Sequence, residues 1–127
     1  MSAQSNNPFE AIGGKDVIDQ LVESFYSKVQ KHPLLTPIFP DDLTETARVQ
    51  KQFLTQFLGG PTLYSDEHGH PMLRARHMPF PITPQRAHAW LQCMNEAMTD
   101  IGLEGPVRDY VFERLTQTAH HMINTST

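Results

Sequence analysis

Apolar residues return at intervals of three and four in four stretches of the chain, and the ten prolines and seven glycines fall almost entirely between those stretches. Such spacing turns one face of a helix toward a core, and the interruptions mark its ends. After Gly13-Gly14-Lys15, the residues Ile18, Leu21, Val22, Phe25 and Val29 make a first stripe that closes near Pro33. Leu43, Ala47, Gln50, Leu54 and Phe57 make the second; Asp42 and Glu45 stand in the capping-box relation at its start, and Gly59-Gly60 ends it. Thr83 followed by Pro84 opens a third helix, with Ala87, Trp90, Leu91, Met94, Ala97, Met98 and Ile101 inward. A fourth opens at Gly105-Pro106 and carries Val107, Tyr110, Val111, Leu115, Ala119 and Met122, with residues 124–127 expected to fray.

No alternating run is long enough to insist on a strand, so the class is all-α, with residues 1–127 as one domain and 1–12 as a leading segment. Two stretches depart from a plain bundle. Residues 33–40 are too rich in proline to extend, and read as a corner that turns Leu35, Ile38 and Phe39 inward. Residues 59–82 exceed the ~12–15 residues beyond which a connection in a compact domain is usually functional. Within them, residues 72–78 can make a turn or two of helix before Met78-Pro79 stops it, which places Leu73 and His77 on one inward face.

Charge and composition narrow the partners. A formal charge of -4 gives no attraction to nucleic acid or to anionic membranes. No apolar run approaches the ~20 residues of a membrane span, and the first ten residues lack the regions of a secretory signal, so the cytoplasm is the expected address. Cys93 is alone and reads as a small buried hydrophobe, which leaves seven histidines as the candidate ligand-bearing groups. His68 with His70, and His120 with His121, are pairs without a third ligand; these, like His32 and His88, read as surface groups. Gly13-Gly14-Lys15 lacks the offsets of a phosphate loop and instead eases a helix start.

Polar groups on the apolar stripes carry the chemistry. Gln50 lies mid-stripe, and burying its amide without a partner costs ~1–3 kcal/mol. Tyr26 borders the first stripe and Trp90 sits on the third. Any one of them alone is an ordinary core residue with a satisfied donor. Together with an inward His77, they describe a cavity whose polar groups aim at a common point. One histidine makes a poor zinc site but is enough to hold a haem iron. The rival reading is a haem-free helical interaction or sensor module whose inner donors satisfy one another.

Phe25-Tyr26, the Pro-Ile-Phe-Pro run at 37–40, Gln-Phe-Leu-Gly-Gly-Pro at 56–61, residues 69–82 and Ala-Trp-Leu-Gln-Cys-Met at 89–94 resemble the group II truncated haemoglobins, over nearly the whole chain. The resemblance implies a two-over-two helical sandwich around one haem b. It implies His77 as the proximal iron ligand, Tyr26, Thr46, Gln50 and Trp90 as the distal set, and Phe39 as an aromatic wedge at the corner. Phe53, Leu54, Leu73, Arg76 and Met94 join them around the cofactor. Relatives vary at Phe39, Thr46 and Gln50. Some carry a basic residue for a haem propionate where this chain has Val49, which makes Arg76 the candidate here. The implied ligands are O2, CO and NO, with O2 held tightly. Redox or NO and peroxide detoxification with an electron-donor reductase is a further expectation, for a monomer or weak homodimer.

Overall fold

Asn7 starts the first helix: its Oδ1 accepts from the Glu10 N–H at 2.8 Å, and Pro8 occupies the first helical position, where no donor is missed. The structure is a computed structural model and describes residues 7–126. The expected leading segment is therefore partly helical, as α1 (Pro8–Ile12), and its first six residues lie outside the described ones. There follow α2 (Lys15–Val29), a 3-10 turn (Thr36–Ile38), α3 (Thr44–Phe57), α4 (Leu63–His68), α5 (Leu73–His77), α6 (Pro84–Asp100) and α7 (Pro106–Met122). Among the described residues there is no strand.

α2 is the centre of the packing. It buries Ile18, Leu21, Val22, Phe25, Tyr26 and Val29 against α3 on one side and α6 on the other, while α6 in turn packs on α7. One helix pair thus lies over another, the two-over-two arrangement. Burying each large apolar side chain of this kind contributes ~1.5–3 kcal/mol, so the sandwich rests on the stripes the sequence displays. Cys93 is buried in α6, and burial pushes its thiol up from the usual value. No helix among the described residues is long and apolar enough to cross a membrane.

Several ends differ from expectation. α3 starts at Thr44 behind Leu43, which offers no side-chain cap; Asp42 Oδ1 instead accepts from the Thr44 N–H at 3.0 Å. The capping box does not form, because Arg48 takes both Glu45 oxygens, at 2.9 and 2.6 Å, and a charge-assisted pair outcompetes a neutral backbone donor. Tyr110 is 48% exposed rather than inward, since Val107 and Val111 already fill that side of α7. Asn124 is not frayed: its backbone N–H donates to Ile82 O at 3.0 Å. His32 is half-buried, its Nδ1 accepting from the Leu34 N–H at 3.2 Å.

α1 docks on the end of α3, where Phe9 N–H donates to Leu58 O at 2.9 Å. Gly60 permits this, because a Cβ there would come within 2.8 Å of the Phe9 ring and 2.9 Å of Thr55 O. α4 is held to α3 by polar groups. Arg48 reaches both Glu67 oxygens at 3.0 and 2.7 Å, and Gln52 Nε2 donates to the same carboxylate at 2.9 Å. Arg48 first, then Gln52, hold the Glu67 carboxyl down at about 2. A depressed carboxyl stabilises the fold above its ordinary range and loses that contribution as pH falls toward 2. The melting temperature is therefore expected to fall between about pH 4.5 and pH 2, less steeply in Glu67→Gln and in high salt, because the pair is exposed. Identical acid profiles for the two chains would contradict this.

Candidate functional site

A cavity of about 360 Å³ opens between the 3-10 corner, α3, α5, α6 and α7. That is within the size of ordinary small-molecule sites, and its walls are mainly apolar: Ile38 and Phe39 from the corner, Phe53 from α3, Phe80 and Ile82 before α6, Leu115 and Met122 from α7. His77 and Leu73 enter it from α5, as the i, i+4 pairing anticipates. His77 Nδ1 lies 2.7 Å from Leu73 O. A carbonyl can only accept, so Nδ1 carries the proton, and in the neutral ring Nε2 is left with a free lone pair. The same bond fixes the orientation of the ring.

The other wall carries donors. Thr46 and Gln50 stand one turn apart on α3 and Trp90 projects from α6; all three are half-buried at the cavity, and none of their side chains bonds to a protein group among the described residues. The Trp90 ring meets Phe25 edge-on at 5.0 Å. Tyr26 stands a layer deeper and does not itself line the cavity; it is 7% exposed, with its ring 4.9 Å from Phe25 and 6.0 Å from Phe39. Burial alone pushes its phenol well above the ordinary value. Among the described residues no side-chain polar atom is both sealed and unpartnered, so the Tyr26 hydroxyl, which has no protein partner, reaches accessible space.

Two residues expected around the cofactor lie elsewhere. Leu54 and Met94 are fully buried in the core and do not line the cavity. The inward face of α3 is shared between two neighbours: Gln50 and Phe53 look into the cavity, while Leu54 packs into the central core. Arg76 does stand at the cavity, its Nη2 donating to His68 O at 3.0 Å and His70 O at 3.2 Å and its guanidinium 5.6 Å from the Tyr64 ring. A second cation, Arg86, was not anticipated. It lines the same cavity with Nε on Leu34 O and Nη1 on Pro81 O, both at 2.8 Å, and its place one turn before Trp90 is the signal that could have found it.

A second hollow, of about 380 Å³, is an open surface feature bordered by His32, Leu34 and His88. Among the described residues no group of three His, Cys, Asp or Glu could hold a metal ion, which leaves its two imidazoles without a third ligand.

The main cavity fits a haem. Apolar walls suit the macrocycle, Arg76 and Arg86 suit its carboxylates, and a single imidazole with a free Nε2 suits its iron. The haem-free alternative requires the inner donors to satisfy one another, and Tyr26, Thr46, Gln50 and Trp90 do not.

Residues 7–124 match the bacterial-like globin family. The group 2 truncated hemoglobin of Bacillus subtilis (strain 168) is 64% identical over 124 residues, which are 98% of this chain and 93% of that protein. The group II truncated hemoglobin from Bacillus anthracis has a crystal structure that matches with a TM-score of 0.97 at 67% identity, over 98% of this chain and 96% of the other. The truncated oxygen-avid haemoglobin from Bacillus subtilis matches with a TM-score of 0.91 at 66% identity, over 94% and 100%. With sequence, helix arrangement and cavity chemistry in agreement, the chain belongs to the bacterial-like globins as a group II truncated haemoglobin, a haem b protein that binds small diatomic ligands.

Proposed function

We propose that this haemoglobin holds O2 tightly, with His77 as the proximal ligand and Tyr26, Thr46, Gln50 and Trp90 as the donors that retain the gas. The observation that carries the reading is the division of polar groups at and behind the cavity: His77 is fixed through Nδ1 at 2.7 Å, while among the described residues the Tyr26 and Thr46 hydroxyls, the Gln50 amide and the Trp90 indole have no protein hydrogen-bond partner. When bound, haem supplies an iron that takes a diatomic ligand and shifts electron density onto it. The Tyr26 hydroxyl and Trp90 Nε1–H answer that charge. A hydrogen bond to a charged group contributes ~1.5–3 kcal/mol, which is roughly ten- to a hundredfold in release rate per donor. Phe39 and Phe53 give the cavity apolar walls, and a hydrogen bond in such low-dielectric surroundings is stronger than in water. Arg76, and with it Arg86, would receive the propionates. The oxygen avidity ascribed to the Bacillus subtilis haemoglobin accords with this donor-rich wall.

The test is stopped-flow release of O2 from the reduced, haem-loaded protein, with CO in parallel. CO accumulates little charge, so removing the donors, as in Tyr26→Phe with Trp90→Phe, is expected to speed O2 release far more than CO release; an equal change for both gases would overturn the reading. The same donors can polarise a peroxide O–O bond or orient dioxygen toward nitric oxide. Detoxifying turnover with electrons from a reductase is thus a second use of the site.

A further inference from the structure

The helix that carries His77 is poorly equipped to hold itself in place. α5 has five residues, none of them fully buried, and no side-chain cap; its N-cap, Met72, sits at φ 44, ψ 50, a left-handed conformation disfavoured for a residue with a Cβ. An isolated helix of this length has no stability of its own.

Besides Arg76 on the His68 and His70 carbonyls, what holds it is the segment following α7. Asn124 Nδ2 donates to His77 O at 3.2 Å and to Phe80 O at 2.9 Å. Its Oδ1 accepts from the Ile82 N–H at 3.0 Å, and its own N–H donates to Ile82 O at 3.0 Å. From the other direction, Arg74 Nη1 donates to His121 O and Ile123 O, both at 2.8 Å. Both ends of one amide are thus in use, and one of its bonds falls on the backbone of the histidine itself. Few side chains could replace it: a carboxylate keeps the acceptor and loses both donors, and an apolar residue loses all three side-chain bonds.

We propose that Asn124 is the positioning residue of the proximal ligand: by pinning the His77 carbonyl and the turn through Ile82, it fixes the ring orientation in which Nε2 meets the iron. The inference rests on His77 being that ligand. It gives a residue 47 positions away in sequence the orienting role usually played by whatever bonds the ring.

The experiment compares Asn124→Ala and Asn124→Asp with the haem-loaded wild type, with His77→Ala as control. Three quantities are read: the iron–histidine stretching band of the reduced protein, transfer of haem to an acceptor globin, and hydrogen exchange at the Ile82 amide in the CO complex. In Asn124→Ala the band is expected to shift or broaden, haem loss to accelerate roughly ten- to a hundredfold, and Ile82 protection to drop about tenfold. Asn124→Asp separates positioning from tethering, because it keeps the acceptor for Ile82 but not the donors to His77 and Phe80. There the band is expected to move while Ile82 stays protected. A band unchanged in both variants overturns the proposal, even if the melting temperature falls, since that is what a merely structural contact would do. If Asn124→Ala does not fold, Arg74→Gln, which releases the opposite side, should shift the band in the same sense; no shift there or in Asn124→Asp overturns the proposal. A band that survives His77→Ala removes the proximal reading and this inference together, and so is distinguishable from failure of Asn124 alone.

Discussion

His77→Ala is expected to leave a folded chain whose haem affinity falls by more than the ~10–100-fold that loss of a group bonded to the ligand ring alone produces, because the bond to the iron itself is gone. Folding should survive for a local reason. The side chain is only half-buried, α5 contributes no fully buried residue, and the one side-chain hydrogen bond lost is Nδ1 to Leu73 O. A net ~0.5–1.5 kcal/mol for that bond is small beside the stability of a domain of this size. Haem titration followed at the Soret band, beside a thermal melt of each chain, measures both effects. Free imidazole gives a sharper readout: it matches the deleted ring, Leu73 O is still there to accept its N–H, and its addition should restore the band. Wild-type haem uptake and spectrum in His77→Ala would dismiss the proximal assignment outright, and imidazole having no effect on a weakened band would mean that the ring's loss acted through the fold rather than the iron.

The elements that the sequence displays openly are those whose signals are local. α2 and α6 follow from the spacing of their apolar residues, and α6 also from Thr83 Oγ1 accepting from the Arg86 N–H at 3.0 Å, a cap readable from Thr83-Pro84 alone. α1 has an equally local signal in Asn7-Pro8, but its five residues are too few to display an apolar stripe. α4 had none: Tyr64 is its one buried residue, and its place depends on Arg48, Gln52 and Gln56 reaching across from α3. The site divides the same way. His77 and Leu73 point inward because i, i+4 on a short helix permits little else, and Gln50 betrays the cavity by interrupting an apolar stripe. Which of Gln50, Phe53 and Leu54 faces the cavity and which the core depends on where α2 lies, and no local pattern encodes that. Asn124 is the extreme case, since the partners of its amide lie more than 40 residues away.

Tyr26→Phe combined with Trp90→Phe is expected to speed O2 release by more than either single change, each of which is expected to give ~10–100-fold. The two effects should fall short of multiplying, because both donors address one small ligand and because Gln50 and Thr46 remain at the cavity to take over part of the load. Tyr26→Phe is the cleaner change. It removes a hydroxyl with no protein partner among the described residues, keeps the ring against Phe25 and Phe39, and leaves none of these residues' buried groups orphaned, so stability should hardly move. Trp90→Phe also shrinks a wall and loosens the edge contact with Phe25, so CO rates serve as the control for widening: a rise common to both gases reports space, and a rise confined to O2 reports the lost donor. The effect of pH is a further discriminator. Burial holds the Tyr26 phenol above the ordinary value near ~10, and a raised phenol keeps its proton to higher pH, so donation persists and wild-type O2 release should stay flat between about pH 8 and 10, where an ordinary phenol would already be ionising. Release that accelerates across that range in the wild type but not in Tyr26→Phe would mean the hydroxyl ionises there after all, and an unchanged O2 rate in the double variant would leave the distal wall as mere packing.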